Sequence, residues 1–313
     1  MDKKLITILI PAYNEEEVLY ILYNRLTKLI ESIDNYNFEI LFINDGSKDN
    51  TMPIIKSLRE KDNRLSYVNL SRNYGKETAM LAGFDYAKGD ALIIMDADLQ
   101  DPPELIPEML KYWEQGYDDV YAKRNSRKGE SFFKKFTSSL YYKILQKTTR
   151  IDIQKDTGDF RLLDRRCVES LKKMRESERY TKGLFSWIGY NKKELLFDRE
   201  PRAAGKTKWN YRKLVDLSID GITSFTTSPL RWSAIFGTII SVIAFIYALF
   251  LIIRTIFWGV DVAGYASTMV VMLFLGGIQL VFLGVLGEYI GRIFNETKNR
   301  PLYFVNEYND EKQ

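Results

Sequence analysis

The stretch LIIMDADLQDPP, residues 92–103, passes from four apolar side chains into three carboxylates and a double proline. A short run that is apolar on both faces belongs to a parallel strand covered on each side by helices. Two upstream runs read the same way, Leu5–Ile10 and Glu39–Ile43, and amphipathic stretches at Glu16–Ile33, Thr51–Lys61 and Glu77–Ala87 lie between them. Strand and helix in alternation predict an α/β, Rossmann-like fold. Ligands in such sheets bind beyond the carboxyl ends of the strands. Each strand here ends in a polar motif: PAYNEE (11–16), NDGS (44–47) and DADLQDPP (96–103). The sequence has no GxGxxG and no GxxxxGK[ST], which argues against a dinucleotide and against a P-loop nucleotide site.

Among 313 residues there is no histidine. A Ser-His-Asp triad, a His-ligated zinc and a histidine base are therefore excluded, and any metal must sit on carboxylates, amides, waters or substrate oxygens, which means Mg²⁺ or Mn²⁺. Asp96 and Asp98 flank one alanine, so an extended chain turns both to one side, and Gln100 continues the alternation. Two carboxylates of this kind can serve one hard cation; acidic residues after a strand are also common loop formers and helix N-caps, and Asp101-Pro-Pro-Glu looks like a helix start. Asp45 has two readings as well, a turn residue before Gly46 or an acceptor for the imide N–H of a uracil. The single cysteine, Cys167, fits a buried inert thiol. A net charge of +4 is too small and diffuse for nucleic acid. Charged Asp2, Lys3 and Lys4 lead straight into the first strand, so no signal peptide is expected.

Two long uncharged runs follow, 22 residues from Trp232 to Ile253 and 26 from Val262 to Gly287. About 20 residues of helix cross a bilayer core, so two transmembrane helices are expected, over about 232–254 and 264–287. Lys206, Lys208, Arg212, Lys213 and Arg231 precede the first, and Arg292, Lys298 and Arg300 follow the second, against Arg254 alone in the connection. By the positive-inside rule both ends of this hairpin are cytoplasmic. The expected domains are a cytosolic catalytic region at 1–228, the membrane hairpin at 229–290 and a cytosolic tail at 291–313. Residues 131–149 form an amphipathic helix that either lies in the membrane interface or packs on its own domain, and 211–227 read as another helix at the membrane surface.

PAYNEE, NDGSKDNT, LSRNYGKE, MDADLQDPP, DTGDFRLLDR and RAAGKTKW, in this order and followed by two spans, resemble the family-2 inverting glycosyltransferases of the GT-A fold. Within that family the chain is most similar to polyprenyl-phosphate glycosyltransferases of the bactoprenol glucosyltransferase kind. The resemblance implies a nucleotide pocket lined by Pro11, Tyr13 and Glu15, with Asp45 on the base, Lys76 near the nucleotide, Asp96 and Asp98 on ribose and metal, and Gln100 as a further metal ligand. It makes Asp159 the catalytic aspartate and sets Arg202 and Lys208 near the acceptor phosphate. Lys206 stands where the family commonly has Ser, Glu or Gln, and is either a third acceptor contact or a solvated lysine.

The reaction so implied is inverting transfer of a hexose, glucose foremost and GlcNAc or galactose next, from a UDP-sugar to undecaprenyl phosphate. A phosphate monoester is already mostly dianionic at neutral pH, since its second pKa is about 6, so it needs little help from a base. Asp159 is then either a base or a positioning group that orients Arg161 or a neighbouring cation. A homo-oligomer, a flippase and a periplasmic glycosyltransferase are the implied partners. A processive synthase would need a pore and a QxxRW motif, of which Ser228–Trp232 keeps only the last two letters. A nonenzymatic nucleotide-sugar scaffold is opposed by the intact Asp96, Asp98 and Asp159.

Overall fold

The computed structural model describes residues 3–125, 154, 157–197, 223–258, 264–309 and 311–312. The helices expected at 131–149 and 211–227 fall outside them, apart from 223–227, and so do Arg202, Lys206 and Lys208. Among the described residues the chain separates into two compact units, 1–218 with 300–313 and 219–299.

The first unit is built on one nine-stranded sheet in the order β7-β5-β6-β4-β1-β2-β3-β8-β9. Its centre is β1 (Leu5–Ala12), flanked in parallel by β2 (Asn37–Asn44) and β4 (Ala91–Ile94), with β3 (Leu65–Leu70) parallel beyond β2. Ile6, Ile8, Leu9 and Ile10 are wholly buried, which is why this run is apolar on both faces. Helices α1 (Leu19–Ile30), α2 (Thr51–Lys61) and α3 (Lys76–Tyr86) make the crossovers, and α4 (Ile106–Glu114) follows the double proline. On α3, a Cβ on Gly83 would lie 2.2 Å from Leu9 Cδ1. Only glycine lets this helix close onto the central strand, and α3 brings Lys76 to the strand ends.

Beyond β4 the sheet is no longer parallel. Strand β6 (Thr157–Asp164) runs antiparallel to both β4 and β5 (Asp119–Arg124), and β7 (Lys192–Phe197) pairs in parallel with β5 at the edge. Helices α5 (Arg165–Lys173) and α6 (Thr181–Trp187) lie between β6 and β7 in sequence. Cys167, on α5, is buried, and burial pushes its thiol above the ordinary range, which agrees with the inert reading.

The second unit is a helical pair, α7 (Ser228–Trp258) and α8 (Tyr265–Thr297), each longer than expected from the uncharged runs alone. Tyr289 Oη donates to Thr226 O at 2.7 Å and Arg292 Nη1 to Ser224 Oγ at 3.4 Å, so the end of α8 lies beside the approach to α7, as a hairpin requires. Ser228–Leu251 and Val270–Thr297 are long and apolar enough to cross a bilayer.

The expected free tail is in part a strand. β8 (Val305–Tyr308) adds antiparallel to β3, and β9 (Glu311–Lys312) pairs with β8. Glu307 accepts from Lys56 Nζ at 2.6 Å and from Tyr67 Oη at 2.8 Å, while Asn309 Oδ1 takes the Tyr67 backbone N–H at 2.9 Å. Tyr67 is wholly buried. Glu307→Ala removes a carboxylate that accepts from both Tyr67 and Lys56 and should cost about 1–3 kcal/mol. A melting temperature lower by several degrees in the detergent-purified full chain is the expected reading, and an unchanged one would show that this contact does not hold the strand.

Candidate active site

The loops after β1 and β2 are fastened to each other. Asn14 N donates to Ser47 Oγ at 3.0 Å, Lys48 N to Asn14 Oδ1 at 2.9 Å and Glu15 N to Thr51 Oγ1 at 2.8 Å. Asn14 sits at φ 54, a left-handed conformation that asparagine tolerates. Pro11, Tyr13 and Glu15 are thus held at one rim of the sheet, half-buried.

Asp45 is 3% exposed. Its Oδ1 accepts from Tyr74 N at 2.7 Å and its Oδ2 from Gly75 N at 2.9 Å. Burial raises its pKa, and these two bonds work against that rise. Asp45 therefore carries a structural duty that neither sequence reading included: it pins the loop that leads into Lys76. Gly46, at φ +64, packs so close to this loop that a Cβ would lie 2.4 Å from Arg72 C.

The register of β4 against β6 pairs Ile94 with Arg161. Continued two residues past the ladder, it sets Asp96 opposite Asp159. Like charges facing each other across a sheet repel, and Lys76 lies between them. Its Nζ is 2.5 Å from Asp96 Oδ1 and 2.6 Å from Asp159 Oδ2. Burial alone would raise the pKa of Asp159, but Lys76, then Lys182, outweighs it and holds the carboxyl well below the usual range. Burial likewise disfavours the Lys76 ammonium, and the two carboxylates reverse that and raise its pKa. Glu77, the next residue, accepts the Thr181 N–H at 3.0 Å and so ties α3 to α6.

Asp98 Oδ1 accepts from Gln100 N at 3.2 Å, and Leu99 between them takes φ 60. Behind them Asp101 is 5% exposed and accepts weakly from Asp96 N at 3.4 Å. Burial, reinforced by Asp96, pushes the Asp101 carboxyl up to about 7. Sequence reasoning treated Asp101 only as a helix starter; its enclosure comes from packing. Among the described residues no three His, Cys, Asp or Glu side chains form a metal cage. Asp96 and Asp98 with the Gln100 amide fit a hard cation that fills its remaining positions with water and substrate oxygens.

Arg161 corrects an expectation. It is fully buried, Nη1 lies 3.0 Å from Asp119 Oδ2, and the guanidinium sits 3.8 Å from the Phe185 ring centroid. Asp159 is paired with Lys76 instead, and Arg161 has no surface to offer an acceptor. Strand alternation does set Asp159 and Arg161 on one face of β6, but the deeper of the two meets a carboxylate from β5.

An α/β sheet whose acidic strand ends share one lysine, followed in the chain by a long apolar hairpin, defines a GT-A-like glycosyltransferase. The chain belongs to glycosyl transferase family 2, whose pattern it matches over residues 7–172, and residues 228–293 match the GtrB C-terminal hairpin. It is 51% identical over 302 residues to an uncharacterised glycosyltransferase of Synechocystis sp., covering 96% of this chain and 95% of that one. The putative glycosyltransferase CsbB of Bacillus subtilis is 44% identical over 309 residues, covering 99% and 93%. The bactoprenol glucosyl transferase of Shigella phage SfX is 44% identical over 300 residues, covering 96% and 98%.

With Asp159 depressed in the folded chain, its ionised form contributes stability above its unfolded pKa of about 3.9, and that contribution is lost only as pH falls through the lower folded value. Lys76→Met removes the strongest attraction and leaves burial, which pushes the carboxyl up. The variant should lose thermal stability at a higher pH on the acid side than the wild type. Superimposable acid limbs would argue against the bridge.

Proposed function

We propose that the protein transfers a hexose, glucose foremost, from a UDP-sugar to undecaprenyl phosphate at the cytoplasmic leaflet, with inversion. The observation that carries this reading is Lys76 bridging Asp96 and Asp159, which joins the donor-side acids and the acid of DTGDFR in one cluster. Relatives named bactoprenol glucosyl transferases, alike over nearly their whole length, support the lipid phosphate as acceptor.

In this reaction an oxygen of the acceptor phosphate forms the bond to the anomeric carbon while the bond from that carbon to the UDP oxygen breaks on the opposite side. Asp96, Asp98 and Gln100 would hold Mg²⁺ or Mn²⁺, which when bound neutralises charge on the departing diphosphate. Asp159 works here as a positioning group. An acid held this far below the usual range is a weak base, and the dianionic acceptor needs none. Its role is to hold Lys76, and Lys76 in turn is a cation between two anionic reactants. Positioning of this sort can supply up to about 7–11 kcal/mol of barrier lowering. Arg202, Lys206 and Lys208 are the proposed acceptor-phosphate contacts, and Arg is matched to bidentate phosphate binding.

Both chain ends are assigned to the cytoplasm. Support comes from β8, which follows the hairpin yet pairs with β3, which precedes it, so both ends must share one side. The Lys/Arg excess outside the connection supports the cytoplasmic choice.

The test is incubation of the detergent-purified protein with undecaprenyl phosphate and, separately, UDP-glucose, UDP-GlcNAc or UDP-galactose, with Mg²⁺, Mn²⁺ or EDTA, the lipid product being read by mass spectrometry. A hexosyl phospholipid from UDP-glucose, lost in EDTA and reduced at least 100-fold in Asp98→Asn and Asp159→Asn, is expected. Product from another donor would reassign the sugar, and none from any donor would sink the reading.

A further inference from the structure

Helix α6 packs on the face of β6 that carries the Asp159 and Arg161 side chains. Phe185 of α6 holds the Arg161 guanidinium at 3.8 Å. One turn back on the same helix face stands Lys182, because residues three apart are neighbours on a helix surface. Two residues back along β6, on the same face, stands Asp159. Thr181, beside Lys182, is held by Glu77, whose neighbour Lys76 pairs with Asp159, and this brings Lys182 to the same cluster. Lys182 is, after Lys76, the cation that bears most on Asp159.

The backbone under Lys182 is fixed. Thr181 N is held by Glu77 Oε2 at 3.0 Å, Gly183 N donates to Tyr180 O at 2.9 Å, and Tyr180, Leu184 and Phe185 are buried. Lys182 itself is half-buried. Among the described residues no hydrogen bond or ion pair engages its ammonium. Asp159 gives Oδ2 to Lys76, and its Oδ1 is buried without a partner. A lysine whose stem is sheltered and whose ammonium meets no partner among the described residues, on a rigid support beside the acids, is placed to receive an anion.

The charge count points the same way. Asp96, Asp98, Asp101, Asp159 and Glu77 gather here, and Lys76 is already shared by two of them. The proposed reaction brings a diphosphate and a dianionic phosphate into the same space, and close anions need cations between them.

We infer that Lys182 is a further substrate-contacting residue, whose ammonium binds a phosphate oxygen of the reacting pair, on the donor diphosphate or on the acceptor phosphate. The inference rests on the reaction proposed above. Lys182 does for the incoming phosphate what Lys76 does for the resident carboxylates, and Glu77 spaces the two lysines by tying Thr181 to the residue beside Lys76.

The experiment compares wild type, Lys182→Ala and Lys182→Arg as full-length protein in detergent. It measures kcat and both KM values with UDP-glucose and undecaprenyl phosphate, UDP and undecaprenyl phosphate affinities without turnover, and melting temperatures. Lys182→Ala should lower kcat/KM by about 10- to 100-fold with an unchanged melting temperature, and Lys182→Arg should recover most of it. Weaker UDP binding would identify the donor diphosphate as the contact, and a raised KM for the lipid with UDP affinity intact would identify the acceptor. Kinetics within twofold of wild type for both substrates would overturn the inference, as would a loss shared by both variants with a lowered melting temperature. A wild type that forms no lipid product would refute the reaction, and Lys182 would then be judged on binding alone: a tenfold weaker affinity for UDP or lipid phosphate in Lys182→Ala upholds it, and equal affinities overturn it.

Discussion

Two carboxylates face each other where β4 and β6 run out, and a lysine sits between them. The Lys76 ammonium reaches one oxygen of each, a cation between two like charges that would otherwise repel. Much of the surrounding architecture serves that placement. Gly83 lets α3 lie against Leu9, Asp45 fixes the Tyr74–Gly75 turn that starts the helix, and Gly46 makes room for that turn. The antiparallel entry of β6 into an otherwise parallel centre is what sets its aspartate opposite the DxD. A parallel strand in the same slot would have presented its other end.

Half of this was legible in the sequence. The apolar runs at Leu5–Ile10, Glu39–Ile43 and Leu92–Met95 are strands because burial on both faces leaves no alternation to confuse them, and the helix expected at Thr51–Lys61 is the one observed. Strands β5, β6 and β7 were not marked, since their mixture of charged and apolar residues reflects ion pairs with neighbouring strands, and such pairs have no period. Arg161 is the clearest instance. A guanidinium two residues after Asp159 reads as a phosphate ligand until Asp119, 42 positions earlier in the chain, is found against it. Spacing along one strand gives the face on which a side chain lies and says nothing of how deep it is.

Lys182 escaped the sequence reading for the opposite reason. Residues 178–187 carry no motif with a chemical signature, and its relation to Asp159 exists only because α6 folds back over β6. Asp101 likewise acquires a raised pKa from enclosure that the motif DLQDPP does not encode by itself. In both places the chemistry belongs to packing, and packing depends on contacts remote in sequence.

The strand β8 has a bearing on how the protein is made. The Tyr67 backbone N–H donates to a partner 242 residues further along, Asn309 Oδ1, which is made after both apolar helices. During translation the β3 edge is left with unpaired backbone groups, the kind of edge that recruits foreign strands. The β3 edge is covered only once residues 305–308, which follow both apolar helices, have been made. A chain whose hairpin failed to turn back would carry an open sheet edge, a state that quality-control proteases and chaperones can distinguish from the folded enzyme.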